Sequence, residues 1–361
     1  MKKLLVVLLA LTVLGIFAFA DDMAPAPAPI GTFTSWNTAT VALYQSVNGA
    51  TASTTWLPYW DKVPGIDQEW EFGYHGKNYQ FYADLEFGMD NFGNVVNGAG
   101  QGQGFAGENA SINRFSTTYD VVPGMLAVEI GKPRSGRAPG ALAEGGSLGN
   151  FYLNSNFGAD LQLLPISGFS ATVFNYIPAG TNVPLSASFT GVVEYNMPNV
   201  FDINMMVSSI NDEFTGGITI TAIKPATFVL AWDYLQPTST TTAWISGGGK
   251  FIPNLETDLD VAFKDNTNTS TTSIEAEAKA EYSFTAMYAF GVRVGYSDGK
   301  GAGLWGTNLG DIEDLGGVLV YPYVKANFDN GSYVSLGVSY ESGANNNGSI
   351  LQIPLSYVWS F

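Results

Sequence analysis

Cysteine is absent from the 361 residues, histidine occurs once, and charged side chains make up only 13% of the chain, about half the usual share. Without cysteine there is no disulfide scaffold, no thiol nucleophile and no thiolate zinc site. A lone histidine leaves little for proton transfer near neutral pH, where imidazole is the usual carrier. That residue, His75, falls in a short turn and reads as a turn residue, so no catalytic group, cofactor or metal site is expected. Asp311, Glu313 and Asp314 form an acidic turn without the spacing of a calcium loop. Bases are scarce as well, 15 Lys+Arg against 32 Asp+Glu. No basic run follows Lys2-Lys3, and nucleic acid is excluded as a partner because phosphate affinity needs clustered bases. Long apolar runs are also missing after Ala20, so no transmembrane helix is expected although 46% of the chain is hydrophobic.

The chain does have an export-signal pattern at its start. Lys2-Lys3, the apolar stretch Leu4 to Phe17 and the small-x-small site Ala18-Phe19-Ala20 make residues 1–20 a signal peptide by expectation. Residues 21–35, with Ala24-Pro25-Ala26-Pro27-Ala28-Pro29, read as an extended spacer. Residues 36–361 then form a single domain.

Within that domain the apolar residues alternate. Tyr79, Phe81, Ala83, Leu85 and Phe87 face away from Gln80, Tyr82, Asp84 and Glu86, and Leu255, Leu259, Val261 and Phe263 oppose Glu256, Asp258, Asp260 and Lys264. Ile274, Ala276, Ala278, Ala280 and Tyr282 likewise oppose Glu275, Glu277, Lys279 and Glu281. A period of two means strands with one apolar and one wet face. Short turns fall at 75–78, 120–124, 164–168, 196–199, 223–226, 252–254, 283–285 and 329–332. Mostly longer connections rich in Gly, Asn, Ser and Thr lie between them, around 48–67, 89–110, 133–150, 177–184, 211–213, 235–240, 266–272, 297–317 and 341–349. This predicts an up-and-down antiparallel barrel with short turns on one rim and long loops on the other. Eighteen strands follow, or sixteen if the first hairpin, whose strand near Thr38 to Val47 is the least regular, does not form.

Strands of about nine to eleven residues and aromatics at their ends, among them Tyr74, Tyr79, Tyr195, Phe201, Tyr282 and Tyr340, point to a barrel that crosses a bilayer. The final strand alternates Leu351, Ile353, Leu355, Tyr357, Trp359 and Phe361. This resembles the last strand of bacterial outer-membrane barrels, and the chain as a whole resembles a bacterial outer-membrane porin in export signal, length, turn asymmetry and terminal strand. The resemblance implies an outer-membrane location, contact with outer-membrane lipid, recognition of the terminal strand by the barrel-assembly machinery, a homotrimer, and passive diffusion of ions and small hydrophilic solutes.

With the apolar face outward, the lumen would carry the acids Glu69, Glu71, Asp84, Glu86, Glu129, Asp160, Glu194, Asp202, Asp233, Glu256, Asp258, Asp260, Glu275, Glu277 and Glu281. The inward bases would be Arg114, Lys250, Lys264, Lys279, Arg293 and Lys325. A wall of one sign favours the opposite ion, so a cation-preferring channel is expected. Against that trend the third long loop is basic, with Lys132, Arg134 and Arg137 followed by Glu144. It occupies the place where the third external loop of typical porins folds inward and narrows the pore, which makes these four residues constriction candidates and leaves the ion preference open. Inward aromatics, Tyr82, Phe174, Trp244, Tyr321 and Tyr323, leave a sugar-specific channel as one alternative. A surface adhesin or structural barrel with a plugged lumen is another, with Trp56, Tyr59 and Trp60 of the first loop as possible partner contacts.

Overall fold

A computed structural model of the chain describes residues 30–48, 65–90, 108–123, 125–132, 137–139, 147–150, 158–176, 189–208, 212–300, 316–328, 331–343 and 348–360. The strands are β1 (Ile30–Asn48), β2 (Gly65–His75), β3 (Tyr79–Asp90), β4 (Glu108–Val122), β5 (Leu126–Lys132), β6 (Arg137–Pro139), β7 (Ser147–Asn150), β8 (Gly158–Ile166), β9 (Phe169–Tyr176), β10 (Phe189–Met197), β11 (Phe201–Ser208), β12 (Glu213–Ile220), β13 (Ala226–Leu235), β14 (Thr240–Ile252), β15 (Leu255–Asn266), β16 (Thr271–Ser283), β17 (Tyr288–Ser297), β18 (Gly317–Asn327), β19 (Tyr333–Gly337), β20 (Ser339–Gly343) and β21 (Ser349–Ser360). All but β6 and β7 belong to one antiparallel sheet of 19 strands, and β6 pairs with β7 alone. The sheet closes on itself because β1 pairs with β2 on one side and with β21 on the other. Closure removes the two free edges that an open sheet would expose.

β19 and β20 are collinear halves of one strand. Both pair with β18 and with β21, and the register is the same on either side of Val338, since Tyr323 faces Gly337 and Val320 faces Tyr340. The interruption has a local cause: Pro322 of β18, the residue opposite Val338, has no N–H to donate, and only the return bond from Val338 N to Pro322 O remains, at 3.0 Å. Counted as one, the two halves leave eighteen staves around the ring among the described residues.

Short connections close one rim. Pro-Asn turns recur there: Asn199 and Asn254 take φ of 60° and 65°, and each follows a proline, the combination a type II turn requires. The turn at 197–200 closes with Val200 N donating to Met197 O at 2.9 Å. Ring pairs follow the same rim, Tyr74 with Tyr79, Tyr195 with Phe201 and Tyr282 with Phe284, at centroid separations of 5.7, 5.8 and 5.2 Å. Tyr357 stacks on Trp359 at 4.9 Å at the same end of β21.

The two faces of the sheet are the reverse of a soluble protein's. Along β14, Ile245 is 63% exposed while its neighbours Trp244 and Ser246 are 2% and 1% exposed, and in β15 Leu259 is 53% exposed beside Asp260 at 0%. Apolar side chains therefore point out and polar ones in, the arrangement that suits a hydrocarbon surround. Leu351, Ile353, Leu355, Tyr357 and Trp359 all lie on the outer face of β21, with Gln352 and Ser356 buried on the inner one; Phe361 lies outside the described residues.

One boundary needs correction. Where the sequence pattern predicts a spacer over 21–35 and a first strand near Thr38 to Val47, β1 begins at Ile30 and runs for 19 residues. Its first part is ordered by β2: Phe33 sits against Phe72 at 4.9 Å between ring centroids, and Thr34 Oγ1 donates to Glu71 Oε2 at 3.0 Å. The segment alternates too, but with Thr and Ser in most places, which hides it beside the prolines.

Candidate functional site: the inner wall

The inward face of β2 to β5 and β8 is acidic. Asp84 is fully buried, with Glu71 of β2 and Arg114 of β4 as its register partners. Glu86 faces Glu69 in register; the side chains of Glu69, Glu86 and Arg114 lie outside the described residues. One strand pair further on, Glu129 of β5 faces Asp160 of β8, and both are buried. Gln162 joins them, its Nε2 donating to Glu129 Oε2 at 3.1 Å and to Asp160 Oδ1 at 3.2 Å, and Ser116 Oγ donates to Glu129 from the other side. Hydroxyl donors serve the next acids in the same way: Ser170 to Glu194 at 3.1 Å, and Thr215 to Asp233 at 2.7 Å.

The wall over β15 to β18 mixes signs. Asp258 faces Lys279, and Asp260 faces Glu277; Lys279 in turn faces Arg293. Arg293 Nε and Glu277 Oε1 lie 3.6 Å apart with both side chains buried. Lys325 Nζ approaches Glu281 Oε1 at 2.7 Å and Oε2 at 2.9 Å, and Tyr323 donates its hydroxyl to the same Oε2 at 2.8 Å. Ser297 Oγ donates to Glu275 Oε1 at 3.4 Å. At the short-turn rim Lys250 pairs with Glu256 at 3.2 Å, well exposed on both sides, so that pair adds little.

Several of these charges are more buried than side chains hanging into a wide aqueous lumen. Asp84, Asp260 and Glu275 have no exposed surface, and Glu277 has 1%. Glycines make room for long side chains to lie flat on the wall: a Cβ at Gly291 would collide with the ring of Tyr323, one at Gly337 with Tyr321, and one at Gly248 with the Asp258 carboxylate. Tyr321 and Tyr323 stack at 5.2 Å. Together with Trp244, Leu319, Val229, Ala231 and Ala262 they form one apolar cluster. Three strands separate β14 from β18, so this cluster spans the charged rows of β15 to β17. The rings of Trp244, Tyr321 and Tyr323 are inward as alternation requires, yet 2–7% exposed; they brace the wall and offer no free face for stacking on a sugar. Tyr82 is half-buried on the inner side, and the side chain of Phe174 lies outside the described residues.

Alternation also reaches a site that the sequence reading passed over. Glu341 is buried on the inner face of β20, across from Ile350 and near Gln352. The outward series Leu336, Val338, Tyr340 places it there.

For the third long connection the backbone is informative. Lys132 ends β5 and Arg137 opens β6, while Arg134, Glu144 and all four side chains lie outside the described residues. β6 runs against β11, β12 and β13, although β8, β9 and β10 separate β5 from β11 in the sheet. The connection thus reaches far around the ring from its origin. Trp56, Tyr59, Trp60, Asp311, Glu313 and Asp314 lie outside the described residues, and His75 ends β2 at the short-turn rim, exposed. Among the described residues no group of three or more His, Cys, Asp or Glu is placed to hold a metal ion.

No family model and no curated protein matches this sequence. Solved structures do. The chain is similar to OccK5 (OpdH) of Pseudomonas aeruginosa, with a TM-score of 0.52 at 8% identity over 92% of this chain and 98% of that one. It is similar to P. aeruginosa OpdK, solved with vanillate, with a TM-score of 0.51 at 10% identity over 92% and 99%. To OccAB4 of Acinetobacter baumannii the TM-score is 0.53 at 10% identity over 93% and 99%. The fold is therefore that of outer-membrane porin barrels. Identity this low carries the architecture and not the solute.

Proposed function

We propose that this chain is an outer-membrane channel that passes ions and small hydrophilic solutes by diffusion, prefers cations, and catalyses no reaction. One observation carries the reading: a closed sheet that is apolar outside and lined inside by more acids than bases. Charges set in the wall are screened less by salt than charges out in the lumen, so a wall with more acids than bases influences passing ions at physiological salt. Hydroxyl and amide donors around Glu129, Asp160 and Glu275 keep those carboxylates fixed in the wall. The course of β6 supports a second element of the proposal: the third connection folds into the lumen and brings Lys132, Arg134 and Arg137 to the constriction, opposed by Glu144 and the acids of β3 and β5. The porin likeness further motivates export by residues 1–20, a homotrimer, and recognition of Leu351 to Phe361 by the assembly machinery.

The test is single-channel recording of the purified protein in planar bilayers under a salt gradient. Steady steps with a cation-signed reversal potential are expected, moving toward zero in a variant with Glu256→Gln, Asp258→Asn and Asp260→Asn. A folded barrel without conductance would overturn the channel reading in favour of a plugged adhesin or structural barrel.

A further inference from the structure

On the inner face of β20 and β21 a small group of polar side chains is closed off from solvent. Ser339 of β20 faces Gln352 of β21 in register, and Glu341, next on the same face of β20, faces Ile350. Gln352 is 0% exposed, Ser339 1% and Glu341 2%. Among the described residues neither end of the Gln352 amide has a hydrogen-bond partner, and neither does the Ser339 hydroxyl. Facing residues of an antiparallel pair hold their Cβ atoms about 5 Å apart and diagonal ones about 7–8 Å apart, within reach of long side chains. The Gln352 amide, the Ser339 hydroxyl and the Glu341 carboxylate therefore share one patch of the wall.

Alternation explains why these residues turn inward, but not why they are polar. A primary amide carries two donors and an acceptor, and burying them unpaired opposes folding. An apolar residue of the same shape would serve the fold as well or better, so the patch points to something that it binds. Size and charge narrow the choice. No water-sized space borders Gln352, since none of its surface is exposed, whereas a bare sodium ion is smaller than a water molecule. Carboxylate, carbonyl and hydroxyl oxygens are the ligands of hard cations, and one carboxylate beside two neutral groups balances a single positive charge. Leu319, which faces Glu341 from β18, and Ile350 add uncharged, buried flanks, where an ion and a carboxylate attract more strongly than in water.

We propose that Ser339, Glu341 and Gln352 hold a dehydrated sodium ion that ties β20 to β21. The site rests on the two neutral groups; Glu341, which has interactions of its own elsewhere, contributes the charge. Closed off from solvent, the ion is a structural one and not among those that pass through the lumen, so the site does not depend on the channel reading.

Urea unfolding of the full protein from lipid vesicles, in sodium chloride and in choline chloride at equal ionic strength, tests the site. A ligand held only by the folded barrel stabilises it, so the wild type should show a higher midpoint in sodium, with slower amide exchange at Ser339–Gly343 and at 349–353. Gln352→Met keeps the volume and removes the polar ends. In choline it should match or exceed the wild type, because an unpaired buried amide is gone; in sodium it should fall below, its midpoint unmoved by the ion. Glu341→Gln should raise the sodium concentration that gives half the effect by about tenfold or more. Gln352→Met at least as stable as the wild type in both salts would overturn the proposal. So would an equal sodium effect in the two proteins, which would put the ion elsewhere on the acidic wall, or stabilisation by calcium with none by sodium. Should Gln352→Met not fold in either salt, Ser339→Ala, which removes one oxygen, is judged by the same outcomes.

Discussion

Arg293 shows what the inner wall demands of a single residue. Its guanidinium is buried with Glu277, whose carboxylate has no exposed surface. Removing one partner leaves an uncompensated buried charge, which costs about 3–5 kcal/mol, whereas neutralising both is tolerated far better. Arg293→Gln should therefore lower stability by about that amount in equilibrium urea unfolding from lipid vesicles, and adding Glu277→Gln should recover most of the loss. Equal destabilisation by the single and the double variant would mean the pair is not coupled. The direction of these side chains was legible in the alternation of β16 and β17, because a period of two fixes the face. Their burial was not: it goes with Tyr323 lying against Gly291 and with an apolar cluster drawn from β13, β14, β15 and β18, and clusters built from distant strands leave no mark in any one strand's own pattern.

Individual strands can be tested by the face each residue occupies. Ile245 points outward from β14 and is exposed, while Thr242 on the same strand is buried on the inner side. A lysine facing lipid near mid-height costs about 2–4 kcal/mol in such barrels; Ile245→Lys should show that loss on unfolding, and Thr242→Lys, facing the polar interior, clearly less. A reversed ranking would put the register off by one residue. Pro322 offers a gain instead. Val338 already donates to its carbonyl at 3.0 Å, so the opposing carbonyl of Val338 lacks only the missing N–H. Pro322→Val should restore it, join β19 to β20, and stabilise the barrel by about 0.5–1.5 kcal/mol, read as a higher urea midpoint and slower amide exchange at residue 338. The connections were legible at this scale, since Pro, Gly and Asn mark turns for steric reasons. The start of β1 was obscured, because Thr and Ser alternate with too little contrast to reveal a strand edge beside a proline-rich stretch.

For the whole molecule, two charge systems compete over the same ions: an acidic wall fixed by the strands, and a basic connection whose β6 runs against β11 to β13. Wall charges act along the length of the lumen, but the narrowest point dominates selectivity, since an ion there is closest to fixed charge and least shielded by water. If Lys132, Arg134 and Arg137 stand at that point, they oppose the wall, and the wild-type preference for cations is smaller than the wall alone would give. Replacing all three with glutamine should then raise the cation-to-anion permeability ratio several-fold, with the largest change at low salt, where the Debye length is about 30 Å at 0.01 M. Urea stability should change little, because only Lys132, the last residue of β5, belongs to a strand of the ring. Reversal potentials measured for the wild type and the triple variant at two salt concentrations decide it. An unchanged ratio at low salt would put the three bases outside the constriction and leave selectivity to the acids of the wall.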